Sequence, residues 1–257
     1  MAFYRSDPKM NTKLLELLDQ LEADGRPGLR NSIAISWICY DRPNPLSGNG
    51  FGASWSEQRL LYPASVVKIF YAVAVEAWLQ KDLLPESKEL QRATKDMIKH
   101  SSNDATGLIL DLLTGTNSGP SLIGDAWEAW KTQRQLINSW LQGLRWEELE
   151  KVNCCQKTWS DGPYGREQDF YGAKNGNRNA LSTVATARML EAVMTEAILS
   201  PRACKRLKEN FSRSLDINQR KTDPENQVDG FLGEGLPKGS QLWSKAGLMS
   251  QARHDAA

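Results

Sequence analysis

Residues 61–70 read Leu61-Tyr62-Pro63-Ala64-Ser65-Val66-Val67-Lys68-Ile69-Phe70. The stretch sets a serine three positions ahead of a lysine, at the mouth of an apolar run. Behind it Ile69, Val73 and Ala77, with Phe70, Ala74 and Trp78, recur at helical spacing and predict one apolar stripe. Helical residues three apart share a face, about 5–6 Å from one another, so Ser65 and Lys68 can interact. The helix start adds partial positive charge and free N–H groups, which favour an alkoxide or a developing oxyanion. An apolar stripe behind Lys68 would desolvate it, lower its pKa and make the neutral amine accessible. That is a workable nucleophile and base. Ser-x-x-Lys also arises about once by chance in a chain of this composition, so the same residues fit an ordinary helix start.

Two more clusters bear on the choice. Ser101-Ser102-Asn103-Asp104 precedes the apolar run that ends in Leu112-Leu113. All four are helix-capping residue types, so the cluster fits a capped N-terminus. It fits equally a hydroxyl (Ser101) that shuttles a proton to a leaving group and an amide (Asn103) that binds a substrate carbonyl. Near the end, Ser244-Lys245-Ala246-Gly247 lies in a segment that reads as a strand, Gln241–Met249. A lysine, a small residue and a glycine can line a cleft with backbone open to a ligand.

In this order the three clusters resemble the penicillin-recognising serine hydrolases, the class A β-lactamases and the penicillin-binding D-Ala-D-Ala peptidases. The family pattern is Ser-x-x-Lys, Ser-x-Asn and Lys-Thr/Ser-Gly. It is matched here by Ser65-Val66-Val67-Lys68, Ser101-Ser102-Asn103 and Lys245-Ala246-Gly247. The resemblance spans residues 32–255. It implies an α+β, β-lactamase-like fold, an antiparallel sheet flanked by helices with an all-helical insertion. The sheet body would come from residues 1–62 and 180–257, and the helical domain from 63–179. It further implies that Ser65, Lys68, Ser101 and Lys245 are catalytic, with Glu167 as the candidate water-activating base of the long loop. Asn103, Ala246, Gly247, Leu248 and Arg253 would bind substrate, and the N–H groups of Ser65 and Leu248 would form the oxyanion hole. The expected substrate is a small molecule, a β-lactam or an acyl-D-Ala-like peptide, with no metal or organic cofactor and a monomeric protein. A peptidase or esterase of the same fold, and a non-catalytic binding module, are the other readings.

The sequence departs from the family pattern in places. Ser102 stands where aspartate is usual, and Ala246 replaces the hydroxyl of Lys-Thr/Ser-Gly. The stretch between the first two motifs is short. Glu167 lacks the family's Glu-x-x-Leu-Asn context and also fits a solvated loop charge. The family has two further strands and a helix after the lysine strand, whereas here the sequence reaches Ala257 where the next strand would begin.

Outward from these motifs, Asn11–Ala23 repeats leucines at helical spacing, and Ser32–Ile38 and Phe51–Leu61 read as strands around a turn-rich stretch, Asp41–Gly52. Ser65–Gly143 reads as helical and Leu136–Leu149 as a tryptophan-bearing helix. Ser160–Asn179 reads as a loop, and Ser182–Ile198 as a helix capped by Ser182 or Thr183. The 257 residues include 40% apolar and 25% charged residues with a net charge of +1, a globular composition without an electrostatic case for nucleic acid. No apolar run approaches the ~18 residues of a membrane span. The N-terminal stretch lacks a secretion signal's apolar core, so the compartment reads as cytoplasmic as written, or periplasmic for a processed fragment. Cys39, Cys154, Cys155 and Cys204 form no Cys-x-x-Cys pair, which favours plain thiols.

Overall fold

The computed structural model describes residues 3–43 and 45–257; Asn44, inside the expected turn, lies outside that description. In chain order the elements are β1 (Tyr4–Ser6), α1 (Pro8–Ala23), α2 (Leu29–Ser32), β2 (Ile35–Cys39) and β3 (Gly50–Trp55). Six helices follow: α3 (Lys68–Gln80), α4 (Lys88–Lys99), α5 (Asn103–Thr114), α6 (Gly124–Arg134), α7 (Leu136–Gly143) and α8 (Gly165–Tyr171). The chain finishes with α9 (Thr183–Met194), α10 (Pro201–Phe211), β4 (Ser212–Arg213), α11 (Ile217–Thr222), β5 (Leu242–Trp243), β6 (Lys245–Met249) and β7 (Ala252–Ala256).

Helix starts follow local chemistry. Asp7, Ser87, Ser102, Ser182 and Ser200 each accept the backbone N–H three residues on, capping α1, α4, α5, α9 and α10. Helix α3 is apolar nearly all round, which is the pattern of a helix enclosed on every side. From Lys68 to Trp78 every residue of it is buried. The main core wraps it with α4, α5, α7, α9 and α10. Two polar contacts pin it further: Trp78 Nε1 donates to the Leu113 carbonyl at 3.0 Å, and Arg206 of α10 pairs with the buried Glu76. A smaller cluster, Met10, Leu14 and Leu18 against Ala53, seats α1 on the N-terminal sheet.

The α+β class holds, and the strands part company with the expected single sheet. Strand β3 pairs antiparallel with β2 and parallel with β1, giving the order β1-β3-β2. Strands β6 and β7 form a separate hairpin around Ser250-Gln251, with Lys245 opposite Ala256 and Leu248 opposite Arg253. Strands β4 and β5 make a third, two-residue pair. The next strand after the lysine strand is therefore present, as β7, in residues expected to precede it. The loop expected over Ser160–Asn179 contains a helix, α8, and the strand expected to reach Leu61 ends at Trp55. Among the described residues no helix is long and apolar enough to cross a membrane.

Leu18 is fully buried at the centre of the smaller cluster. Leu18→Ala is expected to lower stability by about 2–5 kcal/mol, the range for a large cavity-forming truncation, as a reduced midpoint in urea unfolding.

Candidate active site

The three motifs meet. Ser65 lies half-buried in a 3-10 turn, Ala64–Val67, that runs straight into α3, so the serine does open the helix. Ala64 before it has φ 46° and Ser101 has φ 54°, left-handed backbone that a residue with a Cβ adopts at a cost. The Ser65 turn packs on β6. A Cβ on Gly247 would stand 2.7 Å from the Pro63 carbonyl oxygen and 3.2 Å from the Ser65 nitrogen. Glycine at 247 is what lets strand and turn come this close.

Lys68 and Lys245 are both fully buried, and both reach the same hydroxyl. Lys68 Nζ donates to the Ser101 carbonyl, to Ser101 Oγ at 3.3 Å and to Asn103 Oδ1 at 2.9 Å. Lys245 Nζ donates to Ser101 Oγ at 3.0 Å, and to Gln227 Oε1 and the Ala246 carbonyl at 2.6 Å each. Lys68 thus turns its amine onto the second motif rather than onto Ser65. Burial lowers the Lys68 pKa to about 7, offset slightly by Glu225. Burial pushes Lys245 well down too, and the neighbouring Lys68 and Arg213 push it further. Two amines buried side by side disfavour each other's charge.

Ser102 accounts for its own departure from the family pattern. Its Oγ accepts the Ala105 N–H at 3.1 Å and caps α5, the task an aspartate would perform. The capping reading of the second motif holds at Ser102, while its neighbours Ser101 and Asn103 accept Lys68. Ala246 is buried, and its N–H donates to Gln227 Oε1 at 3.2 Å. Leu248 is 60% exposed. Arg253, across the hairpin from it, is exposed, donates to the Gly230 carbonyl at 3.2 Å and lies over the Phe231 ring at 5.5 Å.

Glu167 is somewhere else. It is fully buried in α8, where its Oε1 accepts Arg134 at 2.6 Å and Ser118 Oγ at 2.8 Å. Lys157 stands 3.5 Å from the same oxygen and bonds Asp111 at 2.6 Å. Asp111, Arg134, Lys157 and Glu167 form a closed ionic cluster under the Trp130 ring, on which Arg134 stacks at 4.6 Å. The expected loop acid is a buried anchor, paired with two cations. The acid whose charge is felt at Lys68 is Glu225.

Gln227 and Arg213 are site residues that the motif reading missed. Gln227 Nε2 donates to the carbonyls of Ile98 at 3.2 Å and Lys99 at 2.9 Å, while its Oε1 takes Lys245. Arg213 bonds the same two carbonyls and that of Ser244. Together they tie the end of α4, just before Ser101, to the lysine strand. Neither belongs to a motif, and both lie in residues 199–240, for which the sequence reading proposes no element. Among the described residues no cluster of His, Cys, Asp or Glu could hold a metal ion.

A model of the beta-lactamase enzyme family matches residues 76–257, most of the chain, and the chain belongs to that family. The match begins inside α3, so Ser65 and Lys68 rest on the geometry above. Among solved structures the chain is similar to a beta-lactamase from Chitinophaga pinensis, at 15% identity and TM-score 0.55, covering 90% of this chain and 77% of that one. A beta-lactamase from Sphaerobacter thermophilus shares 16% identity at TM-score 0.58, covering 93% and 80%. PBP-A shares 16% at 0.55, covering 95% and 78%. At these identities the likeness is one of fold. A search of curated proteins finds no match. The resemblance to penicillin-recognising serine hydrolases is thereby shown.

The ionic cluster makes a test. Glu167→Gln leaves Arg134 and Lys157 buried with half their counter-charge, and is expected to cost about 3–5 kcal/mol by urea unfolding. Ser102→Ala, losing one cap, is expected to cost about 1 kcal/mol in the same assay.

Proposed function

We propose that this protein opens a β-lactam or a related amide by forming an acyl-enzyme on Ser65, and releases the acyl group slowly. The observation that carries the reading is the convergence of Lys68 and Lys245 on Ser101 Oγ, beside a serine turn that only Gly247 allows against β6. The cleft would lie between a helical half, residues 63–179, and a body from 1–62 and 180–257.

In this reading neutral Lys68 takes the Ser65 hydroxyl proton as Oγ attacks the carbonyl carbon. The N–H groups of Ser65 and Leu248 hold the oxyanion. The C–N bond then breaks. Ser101 gives its proton to the leaving nitrogen and regains one from Lys68, while Lys245 sets the field and steadies the Ser101 hydroxyl. Asn103 orients the acyl side, and Arg253 faces the leaving side.

Slow release follows from where Glu167 sits. Without a carboxylate beside Lys68, the amine that served acylation must serve deacylation too. This favours, as the second reading, a penicillin-binding D-Ala-D-Ala peptidase or esterase over a fast β-lactamase. A PBP-A mutant, of similar fold, has been seen as an acyl-enzyme complex with penicillin-G, at 18% identity and TM-score 0.53 to this chain.

Intact-mass analysis after incubation with benzylpenicillin is the direct test. A penicilloyl adduct is expected on the wild type and not on Ser65→Ala; equal labelling of both would remove Ser65 from the mechanism. Lys68→Arg keeps the charge and cannot deprotonate, so acylation should fall by ~10²-fold or more. Because the neutral amine is the active form and its pKa is about 7, the wild-type acylation rate should rise with pH through that value and then level. A rate that falls over the same interval would make Lys68 an acid rather than the base.

A further inference from the structure

Gln227 sits in the connection between α11 and β5, where a local turn holds its backbone. Asn226 Oδ1 accepts the Val228 and Asp229 N–H groups at 2.8 and 3.2 Å, Asp229 pairs with Arg220 at 2.7 Å, and the Val228 side chain is buried. Gln227 is buried as well, and both ends of its amide are in use. Nε2 donates to the carbonyls of Ile98 and Lys99, at the end of α4 just before Ser101. Oε1 accepts the Ala246 N–H and the Lys245 amine. The oxygen and nitrogen of an amide are told apart by their partners. Here two carbonyls face one end and a backbone N–H the other, so the oxygen lies toward Lys245.

One planar group therefore touches both sides of the contact between Lys245 and Ser101. An ammonium carries three N–H bonds, and Lys245 directs them to Gln227 Oε1, the Ala246 carbonyl and Ser101 Oγ. The first two oxygens accept and have no proton to give. Ser101 Oγ alone can both take a proton from this amine and return one. With two directions of the amine held, the third points at Ser101. Lys68 does not share this tie, because its acceptors are Ser101 and Asn103.

Resting on the acyl-enzyme reading above, we propose that Gln227 is the positioning residue that aims Lys245 at Ser101 while the leaving nitrogen is protonated. Gln227 touches no reacting atom and adds no step. As the C–N bond breaks, Ser101 gives its proton to the leaving nitrogen. Its oxygen gathers negative charge until Lys68 passes on the proton taken from Ser65. A Lys245 N–H aimed at that oxygen stabilises the charge. An amine free to turn away loses the alignment, and a small misplacement of a catalytic group is costly. The effect is confined to leaving groups that need a proton. A basic amine cannot depart without one, whereas p-nitrophenolate can.

The test compares the two kinds of leaving group on the full chain. Acylation by benzylpenicillin is followed by intact mass. Acylation by a p-nitrophenyl ester with the same phenylacetamido group is followed by the initial release of p-nitrophenolate. Gln227→Met keeps the length and removes the amide, while Arg213 still holds the Ile98 and Lys99 carbonyls. It should slow acylation by the penicillin ~10-fold or more and leave acylation by the ester within about threefold. An unchanged rate with the penicillin overturns the proposal. So does an equal fall with both substrates, which would mark a purely structural residue. A wild type acylated by neither fails the acyl-enzyme reading by itself. Where the wild type is not acylated by both, crystal structures of it and of Gln227→Met decide Gln227. A Lys245 amine displaced from Ser101 Oγ in the variant supports the placement, and an amine left in contact refutes it.

Discussion

Two lysines buried against one serine hydroxyl, with no carboxylate bonded to either among the described residues, set the terms for the rest of the structure. Charged amines in such a place are costly, and burial lowers the pKa of both. Everything around them supplies neutral acceptors: carbonyls of Ser101 and Ala246, amides of Asn103 and Gln227. An ion pair would have fixed each lysine in its charged form. Amide and carbonyl oxygens hold the geometry while leaving the amine free to lose a proton.

That choice needs a rigid frame, because neutral acceptors hold a lysine less firmly than a carboxylate does. The frame is α3, buried from Lys68 to Trp78 inside the main core, and the ties from Gln227 and Arg213 that fasten the end of α4 to the lysine strand. Arg213 itself is half-buried among carbonyls, and desolvation brings its pKa down to about 10. Charged residues here serve as cross-links between elements distant in sequence.

How much could be read in the residues follows the range of the interactions. Ser102 with Ala105 is three apart and local spacing carries that contact, whereas Lys68, three from Ser65, turns its amine to Ser101 and Asn103. Lys245-Ala246-Gly247 was legible by its company, since alone it is an ordinary strand end. Pairing between strands is long-range, and the single expected sheet gave way to three. Strand β7 shows why: Ala252–Ala256 holds Arg253, His254 and Asp255, no strand pattern at all, and is a strand because Ser250-Gln251 folds it back on β6. Gln227 sits eighteen residues before Lys245 in a polar connection, and no spacing rule links them. Glu167 misled for a chemical reason. A glutamate in a Gly- and Asn-rich stretch reads as solvated, yet Arg134, from a helix more than thirty residues away, buries it.

The separation of Glu167 from Lys68 has a consequence for how one short segment is used. Residues 153–160 lie against α5, held there by charge at one point and by a neutral contact at another. Lys157 commits the segment to Asp111 and Glu167. Three residues on, Ser160 Oγ accepts Asn103 Nδ2. Anchoring charge placed toward Lys68 would have raised its pKa and weakened it as a base. Held instead by Arg134 and Lys157, the Glu167 carboxylate orders the elements around it, and burial is the main influence that lowers the Lys68 pKa to about 7.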